Sequence, residues 1–310
     1  QILAPGYVGG ESVAFDANGR LYTGLADGRI IRMDTTGENV ELFANAVEPL
    51  GLDFTAEGNL IVADATQGLL SIDPQGTTTV LVAAGDSEPF FYLNDLAIAS
   101  DGKIYFSQSS TEFGKMEFVQ ETAEHGAYGS LWVYDPTTDS TEKLVDDLYF
   151  ANGVTLSPNE DYVLVSENNA YRVSRYWLTG AKAGTVDRFV ENLPGYPDNI
   201  TFDGIDTFWL ALGGGPESRA TMDGLHPYPF VTKMVFRIPE RLRPAPVPQG
   251  YIIGLDLDGN VIYNLQDRSG AVFAPTTSVI EEGGVLFLGS LSMSGIGRIP
   301  VPAERLSAHE

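Results

Sequence analysis

One pattern of polar and apolar positions recurs along the chain. In its clearest copy Asn152 precedes Gly153-Val154-Thr155-Leu156, a turn runs through Ser157-Pro158-Asn159-Glu160-Asp161, and Tyr162-Val163-Leu164-Val165 follows. Alternation at period two, broken by turn residues and then resumed, predicts strand, tight turn, strand. The same pattern spans Glu11 to Tyr22, Leu50 to Val62, Asn94 to Phe106 and Asp198 to Leu210, with a weaker copy from Thr276 to Leu288. Further strand-like runs follow each copy, and the third run tends to close on an Asp before a turn, as at Asp34, Asp73 and Asp135. Six such units predict an all-β fold, a six-bladed β-propeller with four-stranded blades, as one domain over residues 1–310. Ile2 and Leu3 are expected on a terminal strand that closes the ring, because an open blade edge leaves backbone groups unpaired.

Two stretches interrupt the repeat. Residues 108–128 carry Phe113, Met116, Phe118, Val119 and His125 at partly helical spacing. Residues 213–229 carry three consecutive glycines and His226-Pro227-Tyr228-Pro229. Long connections in compact domains are uncommon unless functional, so both are read as covers over one face of the ring. The third strand of blade five is expected at Thr232 to Ile238, before a Pro-rich linker. Residues 302–310 read as a frayed tail.

Composition narrows the chemistry. A chain of 310 residues with 43% hydrophobic content has ample material for a core. Cysteine is absent, which removes disulfides and thiolate catalysis. A formal net charge of −24 disfavours nucleic acid and anionic membranes and attracts cations. No apolar run is long enough for a membrane span, and no signal peptide is read at the start. A soluble, cytoplasmic protein is the expectation, periplasmic or secreted if Gln1 follows a removed segment.

The residue opening each repeat matters most. The six are Glu11, Leu50, Asn94, Asn152, Asp198 and Thr276. The first strand of each propeller blade lines the central tunnel, so equivalent positions meet around the axis. Glu11, Asn94, Asn152 and Asp198 then form a hard-oxygen set suited to Ca²⁺, with Asn199 as a fifth donor. Each alone reads as an ordinary turn residue; their coincidence in the repeat points to a metal site. Zinc lacks its ligands, since His125, His226 and His309 fall outside the repeat. No nucleophile elbow and no phosphate-binding glycine loop is present. Ca²⁺ at a tunnel mouth suits hydrolysis of a lactone or aryl ester, with Asp198 as base or nucleophile, Asn94 and Asn152 holding the ion and aiding the oxyanion, and Phe113, Phe118, Tyr228 and Phe230 shaping an apolar substrate pocket.

Several stretches carry a resemblance: Phe150-Ala-Asn-Gly-Val-Thr-Leu-Ser-Pro-Asn-Glu160, Arg175-Tyr-Trp-Leu-Thr-Gly-Ala181, Asn192-Leu-Pro-Gly-Tyr-Pro-Asp-Asn-Ile200 and His226-Pro-Tyr-Pro-Phe230. By these the chain resembles the strictosidine synthase-like family, in the branch that includes adipocyte plasma membrane-associated protein. The resemblance implies a six-bladed propeller related to paraoxonases and gluconolactonases, and one catalytic Ca²⁺ on Glu11, Asn94, Asn152, Asp198 and Asn199. Where strictosidine synthase carries a catalytic Glu, this chain has Thr277, with Glu281 nearby as the residue that a shifted alignment would supply. A condensing enzyme forming C–C or C–N bonds is the alternative, and a non-enzymatic propeller with a structural metal is another. The histidine pair of paraoxonase is replaced by Leu50-Gly-Leu52 and Ala63-Asp-Ala65. A second, structural ion beside Asp95 lacks a partner, because the acidic residue expected next to Glu11 is Ser12.

Overall fold

The computed structural model describes residues 1–83, 90–114, 117–228, 230, 234, 235, 238 and 248–306. Six four-stranded antiparallel sheets stand around a central axis. Strand β1 (Ile2–Val8) comes first. Blade one is β2 (Val13–Phe15), β3 (Leu21–Gly24), β4 (Arg29–Met33) and β5 (Glu41–Asn45). Blade two is β6 (Pro49–Phe54), β7 (Leu60–Asp64), β8 (Gly68–Ile72) and β9 (Thr78–Val82). Blade three is β10 (Leu93–Ile98), β11 (Ile104–Gln108), β12 (Gly129–Asp135) and β13 (Ser140–Leu148). Blade four is β14 (Ala151–Leu156), β15 (Tyr162–Glu167), β16 (Arg172–Trp177) and β17 (Val186–Val190). Blade five is β18 (Pro197–Phe202), β19 (Phe208–Leu212), β20 (Gly250–Leu255) and β21 (Val261–Asp267). Blade six joins β22 (Ser278–Glu282), β23 (Val285–Gly289) and β24 (Ser294–Pro300) to β1.

The expected closure holds. Ile2 pairs with Gly297 and Leu3 with Ile296, so the N-terminal strand is the outer strand of the last blade. The ring therefore closes by backbone hydrogen bonds between the two ends of the chain.

The core is spread between blades. One apolar cluster fills each junction: Tyr22 and Ile30 against Leu60 and Leu70, Ile61 and Leu69 against Leu96 and Phe106, and so around to Phe287 and Ile296 against Leu21 and Met33. This explains why β7, β11, β15 and β19 are buried along their whole length. Each has a neighbouring blade on both faces, so its run opens on consecutive apolar residues rather than alternating ones.

Inner strands approach closely where the repeat carries glycine. A Cβ on Gly153 would lie 2.5 Å from the Ile200 nitrogen and 2.6 Å from the Asn199 Cα, and one on Gly51 would lie 2.6 Å from the Asp95 Cα. Alternate blades thus place a glycine where the next blade presents a polar side chain.

Three expectations change. The third strand of blade five is β20, not Thr232 to Ile238, most of which lies outside the described residues, as do Met116 and Pro229. The interruption therefore runs from Gly213 to Gln249. The tail is tied down as far as Leu306: Arg305 pairs with Asp206 at 2.5 Å, and the Leu306 amide donates to the Ile262 carbonyl at 2.8 Å. Residues 307–310 lie outside the described residues. Glu281 sits at the turn end of β22, where the neighbouring pair is Glu282 and Val285, far from the end carrying Thr276. Its carboxylate accepts from the Trp209 indole at 2.8 Å.

Both interruptions lie at one end of the ring. Gln108, before the first, pairs with Leu93, and Leu212, before the second, pairs with Pro197. Leu93 and Pro197 each stand one residue ahead of a repeat-opening residue. The first interruption forms helix α1 (Phe118–Glu124) and the second forms α2 (Pro216–Leu225), and the two helices touch.

Candidate functional site at the tunnel mouth

The repeat-opening residues gather at that end. Glu11, Asn94, Asn152, Asp198 and Asn199 are all buried, none more than 7% exposed. Asn199 Nδ2 donates to Glu11 Oε1 at 2.9 Å, although the two are 188 positions apart. That bond spans blade six, whose Thr277 braces both neighbours. Its hydroxyl donates to the Glu11 carbonyl at 2.9 Å and its carbonyl accepts from the Asn199 amide at 3.0 Å. The Thr at this position is therefore a structural tie between three blades.

The hydrogen bonds fix which way the amides face. The Ser109 hydroxyl donates to the Ala151 carbonyl at 2.8 Å, which leaves it to accept from Asn94 Nδ2 at 2.9 Å. The Asn94 oxygen consequently points away from Ser109. Asn199 is oriented likewise, its nitrogen spent on Glu11. The Oδ1 atoms of Asn94, Asn152 and Asn199 are all buried without a hydrogen-bond partner. Native proteins leave few buried acceptors unsatisfied, and each costs about 1–3 kcal/mol.

Electrostatics point the same way. Burial pushes the Asp198 carboxyl well above its ordinary range; the adjacent Asn152 amide opposes the shift and the Asp95 charge adds to it. Asp95, next to Asn94, is pushed up to about 7, chiefly by burial, against hydrogen bonds from the Val154 and Leu96 amides. Deeper along the tunnel Asp53 rises to about 6, again by burial. The Tyr92 hydroxyl is raised first by burial, then by the charges of Glu11 and Asp198. Tyr92 and Phe150 meet edge to face at 5.6 Å beside Leu50, giving the mouth an apolar wall. No cationic side chain is among the groups that perturb these three carboxyls. A hard cation relieves both the unpaired oxygens and the repulsion, so the residues present fit calcium. Among the described residues no three His, Asp or Glu side chains form a metal cluster; the donor set here depends on amides.

The aromatic expectations fare differently. Phe113 packs on Tyr128 at 5.8 Å between ring centres. Phe118, Tyr228 and Phe230 are largely exposed. Helix α1 buries Glu121, Thr122 and Ala123 rather than Phe118. Hydrophobic patterning also missed the stack of His125 on His226, ring centres 4.4 Å apart, which joins the C-terminal ends of the two helices. His226 Nε2 lies 3.0 Å from the Thr122 carbonyl oxygen.

The family model for strictosidine synthase matches residues 94–181, and that for the strictosidine synthase-like N-terminal region matches residues 1–33. Protein strictosidine synthase-like 6 of Arabidopsis thaliana is 33% identical over 93% of this chain and 78% of its own length. The chain belongs to the strictosidine synthase-like family. Human adipocyte plasma membrane-associated protein, another relative, is 31% identical over 96% of this chain and 76% of its own. Among solved structures, a gluconolactonase from Xanthomonas campestris superposes with a TM-score of 0.70 at 17% identity, covering 97% of this chain and 89% of that one. A calcium-binding regucalcin from Agrobacterium tumefaciens superposes at 0.63 with 18% identity, covering 92% and 82%. These two likenesses concern the fold. No helix among the described residues is long and apolar enough to cross a membrane.

Proposed function

We propose that the protein is a calcium-dependent hydrolase of lactones or aryl esters, with its ion at the tunnel mouth. The observation that carries this reading is the set of three buried, unpartnered amide oxygens, on Asn94, Asn152 and Asn199, beside the carboxylates of Glu11 and Asp198. These five residues would hold the ion. Bound calcium supplies a Lewis acid for an ester carbonyl oxygen.

The chain's own groups supply the rest. In this reading Asp198, which lies beside Asn152, is the carboxylate that activates water. As a base it takes a proton from water while the water oxygen bonds to the carbonyl carbon. The carbonyl–oxygen bond to the alcohol then breaks, and the alkoxide takes back a proton. Asn94 contributes its oxygen rather than its nitrogen, since the latter is held by Ser109. Leu50, Tyr92 and Phe150 form a buried apolar cluster beside these residues. Relatives in fold named as a gluconolactonase and as a calcium-binding protein support the reading. The condensing alternative loses its candidate acid, because Glu281 lies at the far end of its strand and serves Trp209.

The test is a panel of lactones and aryl esters assayed with calcium and after chelation, with Asp198→Ala alongside. Hydrolysis that needs calcium and is lost in the variant is expected. Equal rates with and without chelator, or no hydrolysis across the panel, would overturn the proposal.

A further inference from the structure

The three amides at the tunnel mouth are held by different kinds of partner. Asn199 Nδ2 donates to Glu11 at 2.9 Å, and the Asn152 side chain hydrogen-bonds to Asp198. Both acceptors are carboxylates that the ion itself would use. Asn94 Nδ2 donates instead to Ser109, which lies outside the five donors. Asn94 is the amide of the three whose orientation rests on a group that a bound cation does not need.

The backbone explains why Asn94 requires such a hold. Leu93 pairs with Gln108 and Leu96 with Phe106, so Asn94 and Asp95 together face Ser107 alone. One extra residue on β10 makes a β-bulge, which re-aims side chains and leaves a residue outside the ladder. Blades four and five carry the same irregularity at Asn152-Gly153 and at Asp198-Asn199. In blade three, serines on either side of Gln108 tie the bulge down. Ser107 Oγ accepts from the Asp95 amide at 3.1 Å, and Ser109 Oγ accepts from Asn94 Nδ2 at 2.9 Å.

Ser109 holds the amide in one sense only. It is fully buried, and its own backbone amide donates to the Tyr92 carbonyl at 2.8 Å. A serine hydroxyl carries one proton, and this one goes to the Ala151 carbonyl at 2.8 Å. A flipped Asn94 would set its oxygen against the Ser109 oxygen with no hydrogen between them. The observed orientation leaves Asn94 Oδ1 buried and without a partner, as a cation ligand would be before the cation arrives. Ala151 directly precedes Asn152, so the same hydroxyl also ties blade three to the strand that carries the next amide.

We propose that Ser109 is a positioning residue for the ion: it fixes the Asn94 amide with its oxygen available before a cation binds, and thereby sets calcium affinity. The inference rests on the calcium reading of the tunnel mouth. Outer groups that orient a metal ligand typically carry about 10- to 100-fold in metal affinity.

The experiment is calorimetric titration of the chelator-treated full chain with calcium chloride. It compares the parent, Ser109→Ala, Asn94→Asp and the double variant, with urea denaturation of each calcium-free form. Ser109→Ala should weaken calcium binding about tenfold or more. Asn94→Asp offers an oxygen in either orientation, so adding Ser109→Ala to it should change affinity by less than about threefold. A serine that only supported the fold would cost the same factor in both backgrounds. Ser109→Cys, close in size but a weak acceptor, carries the same comparison where the alanine variant does not fold. Affinity unchanged by Ser109→Ala, or reduced equally with Asn94→Asp present, would overturn the proposal. A parent that binds no calcium would overturn it together with the calcium reading. A parent that binds calcium but hydrolyses no lactone or ester would overturn the hydrolase reading alone.

Discussion

Glu121 allows a quantitative test of how the helix cover is held down. Its side chain is fully buried beneath α1, and burial pushes its carboxyl up to about 8, with the Glu124 charge adding and the Ser110 hydroxyl opposing. When α1 lifts away, the carboxyl meets water and returns to the ordinary glutamate value of 4.5. The closed state therefore binds the proton more tightly than the open one. Closure is favoured in full below pH 4.5, weakens through the interval from 4.5 to 8, and changes no further above 8. The limiting cost is 3.5 pK intervals, on the order of 5 kcal/mol; relaxation and water entry reduce this to roughly 1–3 kcal/mol. Between pH 5 and pH 8 the opening constant of α1 should rise by a factor on the order of 10 to 10². Hydrogen exchange read by mass spectrometry on a peptide covering residues 118–125, corrected for intrinsic chemistry, measures it directly. Glu121→Gln should abolish that pH dependence and leave α1 more protected than the parent at pH 8. The same pH dependence in parent and variant would refute the reasoning.

Other outcomes follow from the ring geometry. Gly153→Ala places a Cβ within 2.6 Å of backbone atoms in the next blade. It should cost about 1–3 kcal/mol by urea denaturation and weaken calcium binding, because Asn152 and Asp198 must separate. Leu3→Ala, in a side chain 1% exposed on the closing strand, should cost about 2–5 kcal/mol in the same assay. Glu281→Gln should leave hydrolysis unchanged and lower stability by about 1 kcal/mol, since glutamine still accepts from Trp209.

Much of this architecture was legible because the repeat states it six times. Asn152-Gly153 and Asp198-Asn199 open strands whose turns are written in Asp, Asn and Gly, and the tunnel contacts follow from equal position. Blade five shows where such reading fails. The run from Thr232 to Ile238 reads as a strand, whereas the true third strand ends at Leu255, just before Asp256. Asp256 accepts from the Asp258 and Asn260 amides just as Asp73 accepts from those of Gln75 and Thr77. The Asp-closed third strand was thus a better guide than alternation. The helix cover was hidden for a different reason. Its packing rests on Glu121 and on stacked imidazoles, polar groups whose burial no hydrophobic period reports.

The account turns on the ion at the tunnel mouth. Isothermal titration of chelator-treated protein with calcium, alongside Asn152→Ala and Asp198→Asn, tests it most directly. Near one calcium per chain is expected, with a melting temperature that rises on binding and affinity lost in both variants. No calcium binding by the parent, or binding that survives both substitutions, would contradict the cage formed by Glu11, Asn94, Asn152, Asp198 and Asn199.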